Sequence, residues 1–439
     1  MKLSFLKEKF FQNSVIYTVG AFLGGLFNYG FHFFVSRRLS VAQYGELQTL
    51  MSLFALLGIV TSALSFFVIK HVSAFAADKN YHATSNFIHW LNKAIAKKMF
   101  FILAVLICIA PFIQFFLKLS DFWGIAIVEL TIFFTVITVV YLGALNGWER
   151  FFTTSSLGVG NFFLKMVVGA CLVLFFPKAS IVAFAILIPS VLMWFAVRWW
   201  SAVYFGHPST EGNGSKKWEE YFSFDALKKS ILPIFIFSSL MIVLGDIDVA
   251  FVKSLTNAEL TGYFGALKIL GKIILTVNLA VVGVLLPRAC ADEHRGTGTS
   301  KKIIGGAYGI IFLSSAIATI SYALFPKLII NILFGEKYVI FSNLLWLYGV
   351  MAFVFSILTL EAYLAYARHT YTVSYILGGV VLLMWGSVFF FSKSLFQITV
   401  GLIITFTLGY VGVLALNLSN KRKRIQGKDI PQIPQELLS

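Results

Sequence analysis

The stretch SSLMIVLGDIDVAFVKS, residues 238–254, sets two aspartates, Asp246 and Asp248, inside an apolar run long enough to cross a membrane. Ionised carboxylates are costly there and mark either a function or a partner. The run belongs to a chain of 439 residues that is 59% hydrophobic and only 12% charged. A soluble domain carries about 25% charged residues. No soluble fold buries this much apolar surface, so the solvent around the chain is lipid.

Similar runs of about 20 residues recur near 14–36, 46–69, 99–118, 122–145, 151–176, 179–203, 229–252, 262–286, 303–325, 343–366, 372–391 and 396–417. Only helices or closed barrels satisfy the backbone in lipid, and the alternation of a barrel is missing. The expectation is an all-α integral membrane protein of twelve spans. The first run is too long for a signal-peptide core and ends in Arg37-Arg38 without a cleavage site, so it reads as a retained helix.

The formal charge of +16 would point to nucleic acid in a soluble protein, but here the basic residues sit mostly in loops. With the N-terminus inside, about 24 of the 35 Lys and Arg face the cytoplasm and about 8 face outward. The positive-inside rule then places both termini in the cytoplasm, and the plasma (inner) membrane is the expected location. No nucleic-acid partner is expected. Cys108, Cys171 and Cys290 show no metal or CxxC spacing, so no disulfide and no metal site are expected.

Two inner loops are long. In 70–98, Phe87, Trp90, Leu91, Ala94 and Ile95 recur at helical spacing beside Lys93, Lys97 and Lys98, which reads as a short helix on the membrane surface. The other, 204–228, contains HPSTEGNGSKK and reads as a flexible linker near the midpoint of the chain. The expected organisation is an N-terminal six-helix lobe over 1–203, the linker 204–228, a C-terminal six-helix lobe over 229–417 and a basic tail over 418–439.

A repeat supports the two lobes. VSRRLSVAQYGE (35–46) is echoed by VKSLTNAELTGYFG (252–265), and YLGALNGWERFFTTSSLGV (141–159) by EAYLAYARHTYTVSYILGG (361–379). Lys97-Lys98 and Lys301-Lys302 open the third and ninth spans. The matches keep one order, each at an offset of about half the chain, and both copies start on the same side. Parallel repeats of this kind carry a site near the membrane midplane.

Taken in order, VSRRLSVAQYGELQTLMSLF (35–54), LNGWERFF (145–152), GDID (245–248), LTGYFGALKILGKI (260–273), VLLPRA (284–289) and LFGEKY (333–338) give the chain its resemblance to a known family. It resembles the polysaccharide or oligosaccharide flippases (Wzx-like) of the multidrug/oligosaccharidyl-lipid/polysaccharide (MOP) exporter superfamily. The resemblance implies two six-helix bundles around a V-shaped central cavity. It also implies a lipid-linked oligosaccharide, usually carried on undecaprenyl pyrophosphate, moved from the inner to the outer leaflet. Membrane lipids, a polysaccharide polymerase and glycosyltransferases are the partners that such a role implies. Ion-coupled multidrug antiporters share the superfamily and form the alternative. Lipid II flippases are a further branch, typically with fourteen spans, two more than are found here.

The intramembrane charges are the candidate site. Asp246 and Lys268 reach similar depths on adjacent spans and are available as a pair, with Lys272 one turn deeper on the face of Lys268. Lys165 lies mid-span with Asn161 one turn before it, and Glu129 sits within the fourth span. Lys165, Lys268 and Lys272, with Asn161, would attract a pyrophosphate, for which compact ammonium groups are suited. Asp246, Asp248 and Glu129 would hold a coupling proton or Na+, or release lysines by exchanging partners. The same charges would serve equally as fixed ion pairs between helices, and Asp248, near the outer interface, as a solvated group. Asn28, Asn278, Glu361 and Arg368 add polar groups at comparable depths.

Gly20, Gly24 and Asn28 recur at four-residue steps, the pattern of close helix packing. No GxxxxGK[ST] segment occurs, so ATP is not the direct energy source, and no cofactor is expected. Outer loops of about five to fifteen residues are too short for a glycosyltransferase or polymerase site, so the chain reads as a transporter and not an enzyme.

Overall fold

The computed structural model describes residues 2–206, 224–294, 301–368 and 370–425. The expected linker falls mostly outside these residues, as does the end of the basic tail. Every regular element among them is helical: α1 (Lys2–Arg38), α2 (Val41–Leu57), α3 (Ile59–Ala77), α4 (Tyr81–Leu117), α5 (Trp123–Gly147), α6 (Phe151–Phe175), α7 (Ala179–Val182) and α8 (Phe184–Phe205). Then come α9 (Phe224–Asp246), α10 (Asp248–Leu255), α11 (Ala258–His294), α12 (Lys301–Leu324), α13 (Pro326–Leu333), a 3-10 segment (Glu336–Leu344), α14 (Leu345–Ala367), α15 (Val373–Phe390) and α16 (Leu395–Ile425).

Ten helical stretches are long and apolar enough to cross a membrane, and the bent pair α9–α10 makes an eleventh. With α1, which carries the apolar run 14–36, the set is consistent with the twelve spans of the sequence. The chain divides into two compact units, Met1–Phe235 and Ile236–Ser439. The division falls within α9.

In the first unit, side-chain contacts fix the alternation of the helices. At one end, Ser120 Oγ donates to Glu46 Oε2 (2.6 Å), Ser180 Oγ to Asp121 Oδ2 (2.9 Å) and the Ala179 amide to Gln43 Oε1 (2.6 Å). At the other, Trp148 Nε1 donates to Thr84 Oγ1 (3.1 Å) and Ser85 Oγ to the Gly206 carbonyl (3.0 Å). Short connections between antiparallel spans leave helix ends together, and polar groups gather there because lipid excludes them from mid-span.

α5 is the buried middle of this unit and packs against α2, α3, α4 and α8. α1 runs along α6. A Cβ added at Gly24 would come within 2.8 Å of the Phe162 ring, and one at Gly20 would collide with Ser155. The glycine stripe therefore does what small residues do between membrane helices, which is to let two backbones approach.

The 70–98 segment departs from its expected form. α3 continues to Ala77 and α4 begins at Tyr81, capped by Asn80, whose Oδ1 accepts from the Ala83 amide (2.9 Å). The surface helix is instead the first part of a continuous 37-residue helix. Phe87 and Leu91 are buried with Val72, Phe75, Val197 and Phe205, while Trp90, Lys93, Lys97 and Lys98 are exposed. The apolar spacing was real, but its partner is the core of the unit and not the lipid surface.

The repeat is visible in the turns. Arg150 donates its amide to the Leu145 carbonyl (2.9 Å), and Thr370 does the same to Ala365 (3.0 Å), so both halves close the fourth span of their six with a six-residue turn. The spans that resemble one another, α2 and α11, each open on a side-chain cap: Ser40 accepts from the Gln43 amide (3.2 Å) and Asn257 from the Leu260 amide (2.8 Å). In the second unit α14 holds the central place, packed by α11, α12 and α16.

Candidate transport site

The two aspartates of the opening stretch frame a break. α9 ends at Asp246 and α10 begins at Asp248, with the axis turned by 49° between them. In a straight helix, residues two apart point to different faces. The break lets both aspartates meet α11, whose Lys268 and Lys272 are one turn apart. Lys268 pairs with Asp248 and Lys272 with Asp246. The Asp246–Lys268 pairing read from depth assumed a straight span, and the bend shifts the register by one partner.

The two pairs differ in access. The side chains of Lys268 and Asp248 are 7% and 3% exposed, whereas those of Lys272 and Asp246 are 37% and 30% exposed. Asp248 is thus a buried ion-pair member and not a solvated residue at the interface. Its carboxylate also accepts from the Val249 amide (2.8 Å), which holds it at the start of α10. Sequence reasoning missed Lys253, also on α10, which is 2% exposed although it closes the apolar run. Its position at a span end signals an interface anchor, and only packing reveals the burial.

Further along α11 the polar column continues. Asn278 Nδ2 donates to Ser315 Oγ (3.0 Å) and Ser356 Oγ (2.8 Å), and Ser314 Oγ donates to Asn278 Oδ1 (2.7 Å). Near the end of α14, Tyr308 donates to Glu361 Oε1 (2.6 Å), and Asn417 donates to the carbonyl (3.2 Å) and carboxylate of Glu361. These contacts bind α11, α12, α14 and α16 by groups that lipid would otherwise leave unsatisfied.

The remaining predicted residues lie in the first unit. Lys165 Nζ donates to Asn28 Oδ1 (2.8 Å) and stands 4.6 Å over the Phe31 ring. Asn161, one turn earlier on α6, has a buried Oδ1 without a hydrogen-bond partner among the described residues. Glu129, on α5, is 1% exposed, and neither carboxylate oxygen has a hydrogen-bond partner among the described residues. The structure brings Lys165 to Asn28 and Phe31, and buries Glu129 apart from them. A group like Glu129 is costly when ionised and unpaired.

At the loop end of the first unit, Lys178 pairs with Asp121 (2.8 Å). Burial alone would push the Asp121 carboxyl up. Hydrogen bonds from Lys178, Ser180 and the Gly124 amide outweigh it and hold the group below the ordinary carboxylate range.

No protein-family model matches the chain, and no curated protein matches it. Solved structures do. The lipid II flippase MurJ in an inward closed conformation superposes with a TM-score of 0.70 at 15% identity, over 93% of this chain and 87% of that one. An inward-facing multidrug resistance MATE family transporter of the MOP superfamily gives 0.67 at 13% identity, over 91% and 96%. A MOP superfamily transporter from Pyrococcus furiosus, described as having a binding pocket of reverse polarity, gives 0.62 at 15% identity, over 94% and 96%. The chain therefore has the all-helical, multi-span fold of MOP superfamily transporters. At these identities the likeness defines the fold and leaves the cargo to the site.

Proposed function

We propose that this protein is a flippase that carries a lipid-linked oligosaccharide across the membrane by alternating access, with Lys272 as the contact for the carrier's pyrophosphate. The observation that carries the reading is the open Lys272–Asp246 pair beside the closed Lys268–Asp248 pair. A closed pair fixes the helix break. An open pair can trade its carboxylate for a phosphate, because an ammonium accepts either anion without a fixed fork geometry. Lys268 sets the local charge beneath it, and Lys165 and Asn161 provide a second cationic, amide-bearing place on α6. The MurJ likeness supports a flippase, and the expected termini are cytoplasmic, with glycan-building enzymes as the neighbours of such a role.

Glu129, with Asp246, is the proposed coupling group for a proton or Na+. Its unpartnered burial also favours a second reading, an ion-coupled antiporter of small molecules. Flipping of a fluorescent lipid-pyrophosphate sugar in proteoliposomes separates the two. Parent protein should move it, Lys272→Ala should lose most of the rate, and Lys272→Arg should retain part of it. Export of cationic dyes with no movement of the lipid would establish the antiporter instead.

A further inference from the structure

The segment LNGWERFF ends α5 and starts α6, and its arginine stands apart from the intramembrane charges. Glu149, before it, takes a left-handed backbone (φ 55°) that closes the turn and delivers Arg150 to the head of α6. The Arg150 guanidinium lies 4.6 Å over the Tyr204 ring. Among the described residues its buried Nε has no hydrogen-bond partner and the guanidinium forms no ion pair. The guanidinium therefore carries N–H donors that no acceptor among the described residues meets.

The surface beneath it is held firmly. The Tyr204 hydroxyl meets Thr153 Oγ1 (3.1 Å), and its ring stacks on Trp200 at 5.7 Å. Trp148 is pinned by Thr84 and stacks on Tyr81 at 4.0 Å, and Phe205 joins the two aromatic pairs. Phe152, two residues on, and Trp199 and Val203 of α8, the helix that carries Tyr204, are exposed apolar side chains. A helix of 25 residues such as α5 spans about 37 Å, so its end lies where head groups begin and where Trp and Tyr gather.

We propose that Arg150 is a binding site for the phosphate of a membrane lipid, with the guanidinium gripping the phosphate and Phe152, Trp199 and Val203 contacting the chain. Arg suits this task because its fork matches two phosphate oxygens at once. The phosphate has two possible sources, an anionic phospholipid or a polyprenyl diphosphate, and the site does not depend on the flippase reading.

The test uses native mass spectrometry of the purified full chain with phosphatidylglycerol and undecaprenyl diphosphate added at equal concentrations. Arg150→Ala should lower lipid occupancy about tenfold, and Arg150→Lys should keep part of it. Arg150→Gln, which retains packing on Tyr204, should lose binding with an unchanged melting temperature, so a failure of the Ala variant to fold would not shield the idea. Arg198→Ala, which removes the exposed cation one residue before Trp199, lying over the Trp194 ring and not over Tyr204, should bind as the parent does. A loss confined to phosphatidylglycerol supports the site with a bulk lipid as its ligand. A loss confined to undecaprenyl diphosphate supports it with a polyprenyl carrier. Parental occupancy of both lipids in Arg150→Gln, or an equal loss in Arg198→Ala, overturns it.

Discussion

Replacing Asp248 by Asn should damage the second unit far more than replacing Asp246, although the two stand two residues apart. Asp248 and Lys268 are 3% and 7% exposed, so the substitution leaves an ammonium buried without a counter-charge. Breaking a buried pair from one side costs about 3–5 kcal/mol. Unfolding entropy of about 2.1 cal/mol/K per residue gives about 0.9 kcal/mol/K over the 439 residues, so the melting temperature should fall by about 3–5 °C. Asp246 and Lys272 are about a third exposed, and a pair open to water contributes less than about 1 kcal/mol. Asp246→Asn should therefore shift melting by about 1 °C or less. Tryptophan fluorescence during heating in detergent reads both. The double variant Asp248→Leu/Lys268→Met removes both charges and should recover most of the loss. If Asp248→Asn melts with the parent, or the double variant is no better than the single, the buried pair does not hold the break.

Further outcomes follow from other contacts. Gly169→Ala places a methyl against the Phe31 ring, which is fully buried and carries Lys165 on its face, so about 1–3 kcal/mol of stability should be lost, read as a lower melting temperature. Asp121 has a lowered carboxyl pKa, so its contribution is present above the ordinary value of about 3.9 and is lost as pH falls through the lowered one; Asp121→Asn should flatten that part of a melting-temperature profile below pH about 4. Glu129→Gln replaces a buried carboxyl that has no hydrogen-bond partner among the described residues, so melting should be unchanged or raised, while initial flipping rates in proteoliposomes should lose their pH dependence. A parental pH profile in that variant would exclude Glu129 from coupling.

The spans were legible because lipid imposes one rule on every backbone, and apolar runs of the required length have few other readings. Depth was legible too: Asp246, Asp248, Lys268 and Lys272 do meet. Their pairing was not, because the bend at Ile247 leaves no mark in composition; it moves Asp246 from Lys268 to Lys272 and gives Lys268 to Asp248. The face of α4 illustrates a related limit. Phe87 and Leu91 announce an amphipathic helix, but spacing alone does not distinguish a protein core from a membrane surface. Lys253 and Arg150 occupy span ends, where cations are ordinary, and only their surroundings set them apart: burial for the first, an aromatic shelf and unmet donors for the second.

The central claim is that a carrier phosphate exchanges for Asp246 on Lys272. Solid-state NMR dipolar dephasing between 15N-labelled lysine and the 31P of bound undecaprenyl diphosphate measures that contact. An N–H···O bond of 2.7–2.9 Å places nitrogen and phosphorus about 4 Å apart. The account predicts dephasing at that distance in the parent and its loss in Lys272→Ala. Strong dephasing that survives Lys272→Ala, or none in a parent with lipid bound, would contradict it.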